Sequence, residues 1–227
     1  VTEQLKKELK NILQYTPKSS SKLFFNQLYG GRHSKAVLGE LLAVFINNSM
    51  ATYKIAGPQV GIEKEIIKII SKIIGYKEDS GGTFPTGGSM SNFMSLIMAR
   101  DKKDINIKNK GVGINNRLII YVSETSHYSV QKNVSFSGIG KDNIRYIKSN
   151  AKGEIELELF KKQINEDIAN NFIPLYLNAT AGTTVACAFD PVQELVKICK
   201  KYKIWLHLDG AFGGAVIFSQ KHKYLVK

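Results

Sequence analysis

Cysteine is scarce in this chain: Cys187 and Cys199 are the only two among 227 residues. They form no CxxC pair and no zinc spacing. That argues against a disulfide framework or a structural zinc, and two reduced thiols in a cytoplasmic protein are the expectation. Long apolar runs are missing too. The most hydrophobic stretches are broken by Lys or Glu, so none reads as a membrane span and no membrane partner is expected. The N-terminal VTEQLKKELKNILQY is polar and amphipathic and lacks the apolar core of a secretory signal. Acidic residues are outnumbered, 19 Asp and Glu against 32 Lys and Arg, for a formal net charge of +13. Such a charge invites nucleic acid as a partner. Arginine, the preferred reader of bases and phosphates, is nevertheless rare: Arg32, Arg100, Arg117 and Arg145 are the full set. Lys64, Lys68 and Lys72 recur along what reads as a solvated helical face, and no nucleic-acid motif is present. The expectation is no nucleic-acid partner and, at most, attraction of anionic small molecules.

What is there reads as α/β. With 43% hydrophobic and 22% charged residues, the chain has material for a substantial core. Residues 58–74 carry Ile62, Ile66, Ile69, Ile70 and Ile73 at helical spacing, with Gly75 as a C-terminal cap. Another helix is expected over 35–46. Residues 81–100, GGTFPTGGSMSNFMSLIMAR, give a glycine-rich turn and a helix with Met90, Phe93, Met94, Ile97 and Met98 on one apolar face. RLIIYV (117–122), FIPLYLNA (172–179) and IWLHL (204–208) are short continuous apolar runs, suited to strands buried on both faces. DPVQELVKICKKY lies between the last two. It predicts a helix with Asp190 as N-cap, Pro191 in the first position, and Val192, Leu195, Val196 and Cys199 facing inward. Strand, helix, strand in this rhythm predicts a mostly parallel sheet with helices on both faces. Residues 102–115 read as a surface loop.

Ligands of open α/β sheets sit beyond the carboxyl ends of the strands, and four unusual groups fall there. TGGSMSN places Gly87, Gly88 and the hydroxyls of Ser89 and Ser91 at a helix start, where free N–H groups and the dipole favour a phosphate. The pattern lacks the GK[ST] of a Walker loop and the last glycine of a nucleophile elbow, and Ser89 could also serve as a plain helix cap. SETSHYS carries His127, which alone also reads as structural. Thr180 to Thr184 follow the second run. Asp209 ends the third, where a carboxylate at the tip of an apolar strand needs a partner. His207 and Asp209 share a strand face, but no third ligand accompanies them and no metal is expected.

Together the four groups ask for a ligand with a phosphate, a flat ring and a basic ring nitrogen. TGGSMSNFMSLIMAR, SETSHYSVQK, NATAGTT followed by FDP, and WLHLDGAFGG occur in this order. The set resembles the group II pyridoxal-phosphate-dependent amino-acid decarboxylases, the glutamate and cysteine-sulfinate decarboxylase family, and FFNQLYGG near the N-terminus is similar as well. The resemblance runs from about Leu23 onward. It implies an N-terminal helical arm over 1–22 and, over 23–227, a fold-type-I large domain incomplete at its C-terminal end. It implies pyridoxal 5'-phosphate as cofactor, a small-molecule amino-acid substrate, and a homodimer or a complementing C-terminal chain as partner. By the resemblance, Asp209 pairs with the ring nitrogen, beside the small Ala211. His127 stacks on the ring. Ser91 and the backbone N–H groups of Met90 and Ser91 hold the phosphate with Ser89 nearby, and Thr184 lies by the ring hydroxyl. Gln27 matches a residue that contacts the substrate's distal acidic group. Ser49 and Ala51 stand where the glutamate enzymes carry asparagine and phenylalanine, so glutamate, aspartate and cysteine sulfinate are all open as substrates. Gly210 stands where relatives often have alanine.

The family binds its cofactor covalently through a lysine some thirty residues beyond the paired aspartate. Counting on from Asp209 runs past Lys227, and Lys221, Lys223 and Lys227 come too early. The chain is therefore expected to be the first part of a decarboxylase, whether a proteolytic product, one chain of a split enzyme or a partial gene, and to lack normal catalysis alone. Another fold-type-I enzyme, a transaminase or lyase, and an inactive binding or scaffolding chain are the competing readings.

Overall fold

The structure, a computed structural model, describes residues 2–25, 29 and 31–226. It divides into two compact units, Val1–Gly61 and Ile62–Lys227. This division lies further along than the arm boundary at residue 22 read from the sequence.

The first unit is helical. α1 (Glu3–Tyr15) starts at Thr2, whose side chain accepts from the Leu5 N–H, and its apolar residues Ile12 and Leu13 remain exposed. α2 (Ser34–Ile46) ends on Asn47 in the left-handed conformation, and α3 (Tyr53–Ala56) is a single turn. α4 spans Pro58–Ile74, the range the isoleucine spacing predicts, so it begins in the first unit and runs mostly in the second. Its end is closed by Gly75 at φ 96°, with the N–H groups of Gly75 and Tyr76 both donating to the Ser71 carbonyl (3.0 and 2.9 Å).

In the second unit, α5 (Gly88–Lys103) and α6 (Ile107–Lys110) precede β1 (Leu118–Ser123). Then follow α7 (Ser129–Phe136), β2 (Ile144–Ile147), α8 (Leu157–Ala169), β3 (Ile173–Thr180), α9 (Val192–Tyr202) and β4 (Trp205–Asp209). The four strands form one parallel sheet in the order β2-β1-β3-β4. Each apolar run of the sequence is a strand displaced by one residue toward the C-terminus, which makes Asp209 the last residue of β4 rather than the first beyond it. Alternating side chains feed two cores. On one face, Phe160 and Ile164 of α8 and Leu195, Ile198 and Cys199 of α9 pack on Ile119, Tyr121, Leu177 and Ala179. On the other, Leu96 and Ala99 of α5 and Val130 and Val134 of α7 pack on Ile120, Val122 and Tyr176.

Three local expectations change. Residues 102–115 are not all loop, because α5 continues to Lys103 and α6 forms one turn. The methionine face of α5 is not its core face: Met90, Met94 and Met98 are exposed, whereas Asn92, Leu96 and Ala99 are buried. A row with small or compact residues lets the helix lie close on the sheet. Asp190 does not cap α9, which starts at Val192 with no side-chain cap. Its buried carboxylate instead accepts from the N–H groups of Ile155 (2.8 Å) and Thr180 (2.7 Å).

A second buried carboxylate ties β1, β2 and α8 together. Asp167 accepts from the Tyr121 hydroxyl (2.9 Å) and pairs with Arg145 (2.9 Å). Burial, and then the adjacent Asp167 charge, push the Tyr121 phenol well above its ordinary value, so it stays a donor. Tyr121→Phe should cost about 1.5–3 kcal/mol, the worth of one hydrogen bond to a charged acceptor. Urea unfolding of the variant checks this.

Candidate functional site

The carboxyl ends of β1, β3 and β4 and the start of α5 meet on the α5/α7 side of the sheet. At the end of β1, the Ser123 hydroxyl bonds those of Thr125 and Ser149 (2.9 Å each), and Glu124 accepts from the Ser149 N–H (3.1 Å). These bonds shape the short loop that delivers His127 just ahead of α7. The half-buried imidazole lies against Tyr128 (centroids 4.2 Å apart). Its Nδ1 faces the Ser129 hydroxyl at 2.8 Å and the Ser129 N–H at 3.2 Å.

At the end of β4, Asp209 answers the question its position poses. Its Oδ2 accepts from the side-chain amide of Asn92 (2.8 Å) and its Oδ1 from the Ala211 N–H (3.1 Å). Asn92, 4% exposed, also meets the Ser129 hydroxyl through Nδ2 (3.3 Å) and His207 Nε2 through Oδ1 (2.8 Å). His207 stacks on Tyr176 (5.8 Å, 21°), and burial pulls its pKa below the ordinary histidine value against the opposing charge of Asp209. Among the described residues no three His, Cys, Asp or Glu side chains gather as a metal set. Asn92 is the site residue that the sequence reading passed over. The available signal was the polar side chain on one helical row with Leu96 and Ala99.

At the start of α5, Gly87 adopts φ 134°, a conformation closed to most residues, and is the N-cap. Ser89 is thus inside the first turn and does not cap the helix. The N–H groups of Met90 and Ser91 close that turn onto the Gly87 carbonyl (3.0 and 3.1 Å). Those of Gly88 and Ser89 have no acceptor among the described residues. The Ser91 hydroxyl makes only a long contact to the Gly87 carbonyl (3.4 Å). Buried Asn133 of α7 fixes this turn by donating to the Ser89 carbonyl (2.9 Å). A Cβ added to Gly88 would stand 3.3 Å from that of Ala211, so the helix start and the loop after β4 approach closely.

The buried hydroxyls of Thr180 and Ser126 and both side-chain amide atoms of Asn178 lack partners among the described residues. The strand register sets Asn178 beside His207 and Thr180 beside Asp209. Thr184 is half-buried in the loop after β3. Ser49 belongs to the first unit, is exposed, and accepts from the Ala51 N–H (3.2 Å). Gln27 lies outside the described residues. A cavity of about 520 Å³, lined by Lys102, Lys103, Lys200, Lys203 and Trp205 among others, opens at the edge of β4 and includes none of the candidate residues.

An open parallel sheet with a phosphate-type helix start, a histidine and a strand-end aspartate at its carboxyl edge defines a class of ligand-binding α/β proteins, and known structures narrow it. Mouse CSAD superposes with a TM-score of 0.95 at 32% identity, over 99% of this chain and 47% of its own. The chain belongs to the pyridoxal-dependent decarboxylase family, whose conserved-domain model matches residues 1–227. It is 36% identical to the acidic amino acid decarboxylase GADL1 of Xenopus tropicalis, over 97% of this chain and 43% of that protein. It is 33% identical to human cysteine sulfinic acid decarboxylase, over 99% of this chain and 45% of that protein. The chain thus spans about half the length of the curated relatives it matches.

Proposed function

We propose that this chain supplies the cofactor-binding half of an enzyme that decarboxylates a short acidic L-amino acid with pyridoxal 5'-phosphate. The observation that carries the reading is Asp209 at the end of β4. It is oriented by buried Asn92, and the loop after it, at Ala211, closes on the glycine start of α5. The donor set fits the cofactor. The unengaged N–H groups of Gly88 and Ser89 and the Ser91 hydroxyl suit a phosphate dianion, with the helix dipole adding to them. The unpartnered hydroxyls of Thr180 and Ser126 suit polar ring substituents.

Bound there, the cofactor supplies a protonated pyridine ring able to accept the electron pair released as CO2 leaves. Asp209 would keep the proton on the ring nitrogen, because an adjacent carboxylate favours the charged form. His127 would rest on the ring and orient the proton that replaces the carboxyl group. Gly88 and Ala211 keep that wall thin. Glutamate, aspartate and cysteine sulfinate are the substrates to test, since Ser49 and Ala51 depart from the glutamate pattern. The exposed apolar residues of α1, with the open methionine face of α5, support a homodimer. Free Cys187 and buried Cys199, whose thiol burial pushes up to about 12, support a reducing, cytoplasmic setting.

Incubating the complete enzyme with each acid and the cofactor tests the reading. CO2 with the matching amine is the expected product pair, and a keto acid in place of the amine would overturn it in favour of a transaminase. Ser91→Ala should weaken cofactor affinity roughly tenfold or more, since a charge-assisted hydrogen bond is worth on the order of 1.5–3 kcal/mol. Titration of the apoenzyme reads this directly.

A further inference from the structure

We propose that Asn92 is a positioning residue that joins Asp209, His207 and, through Ser129, His127 into one hydrogen-bonded unit. A single buried amide then sets both groups assigned to the cofactor ring. The inference rests on the proposed cofactor site for its functional meaning and on the hydrogen-bond geometry for its substance.

The orientation of the amide follows from its neighbours. A carboxylate has no hydrogen to give, so the Asn92 atom 2.8 Å from Asp209 Oδ2 must be the NH2 group. Its oxygen then faces His207 Nε2 at 2.8 Å, and that nitrogen must carry the proton. The remaining amide hydrogen points to the Ser129 hydroxyl oxygen (3.3 Å). That hydroxyl is left to donate to His127 Nδ1 (2.8 Å), which also receives the Ser129 N–H (3.2 Å). Nδ1 of His127 is therefore an acceptor, and the neutral ring carries its proton on Nε2. One amide thus fixes the tautomer of His207 and the directions of the Asp209 carboxylate and the Ser129 hydroxyl, while the Ser129 N–H holds His127 Nδ1 as an acceptor. Asn92 and Ser129 are 4% and 1% exposed, so water cannot substitute for the missing partner if the amide is removed. His127 and Asp209 lie on different strand ends, and α5 is the element that links them.

The test uses the complete enzyme, histidine-labelled with 15N, with Asn92→Leu and Asn92→Asp, both close to Asn in size. In the parent, His207 should show a protonated Nε2 and His127 an unprotonated Nδ1. In Asn92→Leu the His207 imidazole should relax to mixed tautomers while His127 keeps an unprotonated Nδ1 under the Ser129 N–H, kcat should fall about tenfold or more with little change in KM, and cofactor affinity should drop severalfold. Asn92→Asp places a second carboxylate against Asp209 and a charged acceptor against His207. It should raise the pH at which His207 takes up its proton. If Asn92→Leu does not fold, the His207 shift in Asn92→Asp still decides. Side chains that only fill space would leave the imidazole signals of both variants at their parental positions, and that result would overturn the proposal. If the parent enzyme forms no amine, the decarboxylase reading fails while the histidine signals still judge Asn92.

Discussion

Replacing Asp209 with Asn should lower kcat of the complete enzyme by about a hundredfold or more while leaving KM nearly unchanged. Asn has the same shape, so β4 and its pairing to β3 should survive. One carboxamide oxygen would still accept either from Asn92 or from the Ala211 N–H, though no longer from both. What disappears is the negative charge that keeps the ring nitrogen protonated. Its value is greatest in the transition state, where electrons flow into the ring, and that is why the loss belongs in kcat. Steady-state kinetics with the cofactor still bound provide the measurement. Near-normal turnover would reduce Asp209 to the end of a strand.

Asp190→Ala should destabilise the second unit by about 3 kcal/mol or more, because it strands two buried N–H groups, those of Ile155 and Thr180. Thr180 immediately precedes the loop that approaches the site, so cofactor affinity should fall as well. The pH dependence has a definite sign. Burial raises the Asp190 carboxyl above its ordinary value, against the lowering effect of its two backbone bonds. The folded state then binds this proton more tightly than the unfolded state. Its contribution is fully present below the unfolded value near 4 and declines as pH rises through the folded one. The stability difference between parent and Asp190→Ala should therefore be largest in acid and shrink toward neutrality. Urea unfolding across pH 3–7 measures it, and a difference that grows with pH would contradict the assignment.

Much of this architecture could be read before any coordinates. RLIIYV and FIPLYLNA mark β1 and β3 because a parallel sheet covered on both faces needs residues that are apolar on both, and such runs stand out; IWLHL marks β4 as well, but that edge strand is half-buried throughout rather than buried on both faces. β2 is only half covered: Ile144 and Ile147 are buried, Arg145 and Tyr146 are not, so four residues of mixed character gave no run to see. α8 did carry a signal in Phe160 and Ile164, which share one helical face but are separated by charged residues. The site motifs were legible because free N–H groups and hydroxyls at a glycine-rich helix start invite an anion, and a carboxylate ending an apolar strand needs a partner. Asn92 was not, because a lone polar residue within a helix looks like surface until a sheet is laid against it. The methionines misled for the same reason: hydropathy marks α5 as apolar on one side without saying whether the sheet or a partner covers that side.

Finally, the parallel order of the sheet bears on how the protein comes into being. Among the described residues no two neighbouring strands of the sheet are joined as a hairpin, and each ladder waits for an intervening helix. The bond between Asn92 and Asp209 spans 117 residues. During synthesis from the N-terminus, the glycine turn, α5 and the histidine loop emerge long before the strand that completes the site. Contacts so distant in sequence are slow to form. A nascent chain that has not yet released β4 therefore leaves Asn92 without its strand-end partners and the β3 edge of the sheet unpaired, and this is the interval in which it is most open to wrong association.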